Sequence, residues 1–129
     1  MNKYIKKNED QELIREILGK NKYLMLNLSL VSMYGVEVAC MLVYILDKIE
    51  YAINIKKDAL DTGVVIFRKD FENLFKISPF KQRKNENILI EDGILSVYVQ
   101  QNELTTYNFY KVNLEMLYHK METNTPSKN

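Results

Sequence analysis

Ile77-Ser78-Pro79-Phe80-Lys81-Gln82-Arg83-Lys84, running on to a stop at Asp92-Gly93, is the stretch that decides the fold. Ser78 is a natural helix cap, and Pro79 at the first helical position loses no needed hydrogen bond. Gly93 supplies the left-handed residue that ends a helix. The spacing therefore predicts a helix from Pro79 to Asp92, entered through a tight turn from an earlier one. Working back, Arg68 to Lys76 has helical spacing with Phe71, Leu74 and Phe75 inward. Before it, Val64-Val65-Ile66-Phe67 is a short β-branched run after Asp61-Thr62-Gly63, hence a strand. Working forward, Ile94 to Gln100 alternates Leu95, Val97 and Val99 against Ser96, Tyr98 and Gln100. Thr105 to Val112 alternates Tyr107 and Phe109 against Asn108 and Tyr110, and Gln101-Asn102-Glu103 joins the two as a hairpin.

Further out, Gly35 to Ala52 carries Val36, Ala39, Cys40, Val43, Tyr44, Leu46 and Ile49 at helical spacing, the broad apolar face of a central helix. Lys22 to Val31 reads either as a strand or as an irregular apolar lead-in. Asn8-Glu9-Asp10 opens an amphipathic helix with Leu13, Ile14, Ile17 and Leu18 on its stripe, closed by Gly19-Lys20. A last helix, Leu114 to Met121, precedes a polar tail, Thr123 to Asn129, expected to be disordered.

The order helix, short strand, helix, tight turn, helix, hairpin is that of a winged helix, whose second corner helix is placed for groove binding. The expected fold is therefore α+β: a winged helix-turn-helix with extra N-terminal and C-terminal helices. Residues 1–22 form a basic arm and amphipathic helix, 23–121 the winged-helix domain, and 122–129 the tail. The expected core includes Val36, Ala39, Val43, Leu46, Phe67, Phe71, Leu74, Leu89, Leu95, Val97 and Val112.

A chain of 129 residues has room for one core. With 18 basic and 17 acidic residues the net charge is +1, so any nucleic-acid site must be a local patch. Cys40 is the single cysteine, which excludes an intrachain disulfide and a Cys-rich zinc site; its apolar neighbours predict an inert thiol. The basic start runs into Asn8-Glu9-Asp10 and not into a secretory apolar core. Val36 to Ile49, the longest apolar-rich stretch, falls short of the ~20 residues of a membrane span. A cytoplasmic protein with no membrane contact is expected. His119 is the lone histidine, no His/Cys/carboxylate group has metal spacing, and the few glycines form no phosphate loop. Neither an enzyme nor a metal nor a cofactor is expected on this inventory.

Gly35-Val36-Glu37-Val38-Ala39, Asp61 to Phe67, Ile77 to Lys84, Glu91 to Leu95 and Phe109-Tyr110-Lys111-Val112-Asn113 recur in an order that resembles a known group. Between about Tyr23 and Tyr118 they look like the N-terminal winged-helix domains of DnaD-type and phage or plasmid replication-initiation proteins of low-GC Gram-positive bacteria. The resemblance implies DNA binding or self-assembly at a replication origin. Two features depart from the pattern. Similar proteins carry small and apolar residues on the inner face of the second corner helix, where this chain reads Asn85-Glu86-Asn87. An inward Glu86 is costly to bury unpaired, so a shifted helix or one facing a partner is expected. The hairpin tip, Gln100 to Leu104, is neutral to acidic where similar proteins carry Lys or Arg.

Lys76, Lys81, Arg83 and Lys84, with Gln82, Asn85 and Asn87, form the candidate DNA surface: polar side chains for base edges, lysines for phosphates. On another fold the same run would read as a solvated helix face. Lys3, Lys6 and Lys7 are candidate arm contacts, though a solubilising terminus is the plainer reading. Tyr98, Tyr107, Phe109 and Tyr110 could stack bases, but aromatics in a half-buried hairpin more often form core. A homodimer is expected through Leu13, Ile14, Ile17 and Leu18 together with Leu114, Leu117 and Met121. Two functions stay open. One is a double-stranded DNA-binding protein of a phage or plasmid, acting in replication or transcription control. The other is a winged-helix module that inhibits a host or defence protein.

Overall fold

The computed structural model describes residues 3–19, 24–55, 63–101, 104 and 106–123, with the backbone alone for 3–7. The described elements are α1 (Lys3–Gly19), α2 (Leu28–Tyr34), α3 (Val36–Ile55), β1 (Val64–Ile66), α4 (Arg68–Phe75), α5 (Pro79–Glu91), β2 (Leu95–Gln101), β3 (Thr106–Val112) and α6 (Leu114–Thr123). The architecture is α+β: among the described residues, six helices and one antiparallel sheet of three strands in the order β1-β3-β2. Glu122 and Thr123, expected in the tail, continue α6; the expected tip residues Asn102 and Glu103, and the tail from residue 124, lie outside the described residues.

The segment left open around Lys22 to Val31 becomes helical from Leu28. Asn27 caps it, its side-chain oxygen accepting from the Ser29 and Leu30 N–H groups at 2.8 and 3.2 Å. Gly35 then turns the chain into α3 at φ 85°, where a side chain would be strained. Helix α3 is the centre of the core. It buries Val38, Ala39, Met41, Leu42, Ile45 and Ile49, with Val43 and Leu46 half-buried beside them. The inward line thus lies beside the one expected. Val36, expected in the core, is exposed, because it opens the helix where no other element covers it.

Two further core expectations are corrected by periodicity. Val64 and Ile66 point inward on β1, so Val65 and Phe67 point out, and Phe67 is exposed. On α4, Phe71 and Phe75 meet Tyr44 edge-on, with ring centroids 5.5 and 5.7 Å apart, while Leu74 lies off that side and is exposed. Ala39, Phe71, Leu89, Leu95 and Val112 are buried as expected, and Val97 packs half-buried against them.

The hairpin pairs Leu95 with Val112, Val97 with Tyr110 and Gln100 with Tyr107. On the other side of β3, Val64 pairs with Tyr110 and Ile66 with Asn108. The inner face is therefore Leu95, Val97, Tyr110, Val112, Val64 and Ile66. Burial on the edge strand β2 falls away from Leu95 towards the tip, and Val99 is exposed. Tyr110 is fully buried, whereas Tyr98 is exposed on the outer face.

Candidate nucleic-acid interface

Helix α5 begins as its sequence dictates. The Ser78 hydroxyl accepts from the Lys81 N–H at 3.3 Å, with Pro79 in the first turn. At the other end the Gly93 N–H donates to the Ile90 carbonyl at 3.0 Å, with Gly93 at φ 76°. The corner before it is made by Lys76, Ile77 and Ser78. Lys76 takes the left-handed conformation, φ 59° and ψ 35°, and its N–H reaches the Glu72 carbonyl at 3.0 Å. Ile77 is buried beneath that corner.

The inner face of α5 is mostly polar: Gln82, Asn85 and Glu86 are buried with Leu89. Each polar group is satisfied. Arg68 donates to both Glu86 carboxylate oxygens, at 2.9 and 3.0 Å, and the Tyr110 hydroxyl donates to one of them at 2.7 Å. Gln82 donates its amide to the Arg68 and Ile77 carbonyls at 2.9 and 2.8 Å, and accepts from the Arg68 guanidinium at 3.2 Å. Asn85 donates to Glu37 on α3 at 2.8 Å. At the far end the Tyr34 hydroxyl donates to Asp92 at 2.7 Å. Burial opposes the Arg68 charge, but the hydrogen bonds and charge of Glu86 outweigh it and raise the guanidinium's pKa. Burial first, then Glu86, also holds the Tyr110 phenol above its ordinary range.

This network explains the Asn85-Glu86-Asn87 departure. Glu86, 3% exposed, is paired and not orphaned, so the helix needs neither a shift nor a partner on that side. It also fixes the rotation of α5. Turning the helix by one residue, about 100°, would carry these polar groups away from every partner. Two expected base-reading residues are corrected by the same geometry. Gln82 and Asn85 are buried and hydrogen-bonded within the chain, so neither can reach a ligand.

The outward half of α5 is then set. Phe80, Lys84, Asn87 and Glu91 form the ridge opposite the buried face, with Lys81 and Ile88 on one flank and Arg83 and Ile90 on the other. All eight are exposed. The three cations fall in the N-terminal half and the carboxylate in the last turn. Lys76, also exposed, stands at the corner ahead of them. Sequence reasoning missed Phe80. Its signal was the residue count: nine positions from Leu89, it sits half a turn from the buried side.

The other candidates fall elsewhere. Lys3, Lys6 and Lys7 belong to the backbone of α1, which starts ahead of the expected Asn8 cap, and their side chains are outside the described residues. Leu13, Ile14, Ile17 and Leu18 are all exposed on α1. Leu117, expected at a dimer interface, is buried in the chain's own core, and Met121 packs half-buried against that core; Leu114 is exposed. The half-buried Cys40 thiol is pushed up by burial and then by Glu37, which disfavours the reactive thiolate. Among the described residues no helix is long and apolar enough to cross a membrane. Comparison of the chain with protein-family models, with curated proteins and with solved structures finds no match.

Proposed function

We propose that the chain is a winged-helix protein that binds duplex DNA, with α5 lying in the major groove. The observation that carries this reading is the outward placement of Lys81, Arg83, Lys84 and Asn87 on a helix whose rotation the Arg68–Glu86–Tyr110 network locks. Helix-turn-helix proteins meet base edges with the N-terminal residues of the second helix, and the cations lie at that end. The element order α3-β1-α4-α5-β2-β3, the sheet order β1-β3-β2 and the short corner at Lys76 support the winged-helix reading.

Arg83 and Asn87 are the residues suited to base edges, Arg to guanine and Asn to adenine. Lys76, Lys81 and Lys84 suit phosphates. The exposed stripe of Leu13, Ile14, Ile17 and Leu18 suits a homodimer formed through α1, which would place two α5 helices on a repeated site. A phage or plasmid replication or transcription factor fits such a module.

Fluorescence titration of a labelled duplex at about 50 and 200 mM salt tests the reading. Lys81→Ala and Lys84→Ala should each flatten the logarithmic salt slope by about 0.9, whereas Arg83→Ala should mainly relax sequence preference. Wild type binding no duplex tighter than ~10⁻⁴ M, with Arg83→Ala without effect, would remove the DNA reading. A host or defence protein as partner is the second reading. It is favoured by exposed Phe80, Ile88 and Ile90 on the same helix and by a net charge of only +1.

A further inference from the structure

We infer that Phe80 is a specificity-determining contact, its ring taking the 5-methyl group of a thymine in the major groove. This rests on the reading of α5 as the DNA-facing helix and names part of what that helix reads. Phe80 is 72% exposed at the start of the outward ridge, and it cannot be turned inward. Ser78 and Pro79 fix where the helix begins, and Gln82, Asn85 and Glu86 fix its rotation, so the ring is held at the end nearest the base edges.

The cations around the ring favour a nucleic-acid partner for it. Lys81, Arg83 and Lys84 are exposed within one turn of it, while Glu91, the carboxylate of the same ridge, lies three turns away. A phenyl ring offers no hydrogen bond, and pressing it on a polar base edge would strip water from groups it cannot satisfy. Of the four bases, only thymine presents an apolar group in the major groove. Along the same ridge Lys84 and Asn87 follow one and two turns on. Phe80 to Asn87 spans about 10 Å, or roughly three base pairs at ~3.4 Å each. The contacted stretch should therefore hold a thymine at the end that Phe80 meets, followed within about three pairs by the base read by Asn87.

The test starts from a duplex selected by the full chain from a random pool. Each thymine of that duplex is then replaced singly by deoxyuridine, which removes the methyl group and nothing else. One thymine per bound chain should lose about fourfold in affinity, the ~0.8 kcal/mol of one buried carbon at 1.4 kcal/mol per tenfold. Phe80→Ala should bind the parent duplex more weakly by a similar factor and be indifferent to deoxyuridine at that position. Because Phe80 is exposed, the variant should melt with wild type, which separates lost contact from lost fold. Wild type ignoring every deoxyuridine, Phe80→Ala keeping the penalty, or a selected site with no fixed thymine would each overturn this inference while leaving DNA binding intact. Selection of no duplex at all would overturn the DNA reading and this inference with it.

Discussion

Arg68→Ala and Glu86→Ala break the same ion pair, yet they should not cost the same. Glu86 is 3% exposed and holds two hydrogen bonds from Arg68 and one from Tyr110. Arg68→Ala strands that carboxylate with the Tyr110 hydroxyl as its remaining named donor. Glu86→Ala strands the neutral Tyr110 hydroxyl and a guanidinium that still reaches Gln82 and whose side chain, 24% exposed, can turn towards water. Breaking a buried pair costs ~3–5 kcal/mol, so Arg68→Ala belongs at the upper end and Glu86→Ala at the lower. At a few degrees per kcal/mol, the melting temperature should fall by roughly 10–20 °C. Urea and thermal melts of both variants and of the double variant measure this. The double variant should lose at least ~1 kcal/mol less than the two singles together, because the pair is lost only once. Single variants each costing under ~1 kcal/mol, or strictly additive losses, would refute the claim that this pair fixes α5.

Lys76 occupies the left-handed region at φ 59°, so Lys76→Gly should stabilise the corner by ~1 kcal/mol, seen as a higher urea midpoint; a lower midpoint would contradict it. The Tyr110 phenol, raised by burial and then by Glu86, keeps its proton in the folded chain after an unfolded tyrosine has lost it. Stability should therefore hold below about pH 10 and fall as pH rises further, and Tyr110→Phe should flatten that fall. Tyr34, raised by burial and by Asp92, should retain part of it. Ile17→Asp on the exposed stripe of α1 should turn a dimer into a monomer by light scattering and change the unfolding free energy of the body by under ~0.5 kcal/mol. A monomeric wild type at high concentration would remove the dimer.

The elements that the sequence made legible are those with local causes. Ser78, Pro79 and Gly93 announce α5, and the alternation of Leu95 and Val97 announces the hairpin. What stayed hidden depends on partners distant in the chain. Gln82 and Asn85 look like part of an outward face, since polar residues usually face water, and an inward Glu86 looks unpaired. Their partners Glu37, Arg68 and Tyr110 come from three other elements that only the fold brings together. Once that face turns in, Phe80 must turn out. The phase of α3 was hidden for another reason: apolar residues cover so much of it that the spacing fits an inward Val36, whereas the fold buries Val38. On α6 the stripe of Leu114, Leu117 and Met121 was correctly seen as apolar, but most of it covers the chain's own core.

The outward face of α5 is proposed to meet duplex DNA. Backbone amide resonances of the isotope-labelled full chain, followed while a short duplex is added at about 50 mM salt, test it most directly, since non-specific binding suffices. The amides of Lys81, Arg83, Lys84 and Asn87 should shift most, with Lys76 beside them, while Leu13 to Leu18 stay still. Shifts gathered on α1 or on the outer sheet face around Tyr98, with α5 unmoved, would contradict it, as would a spectrum the duplex leaves unchanged.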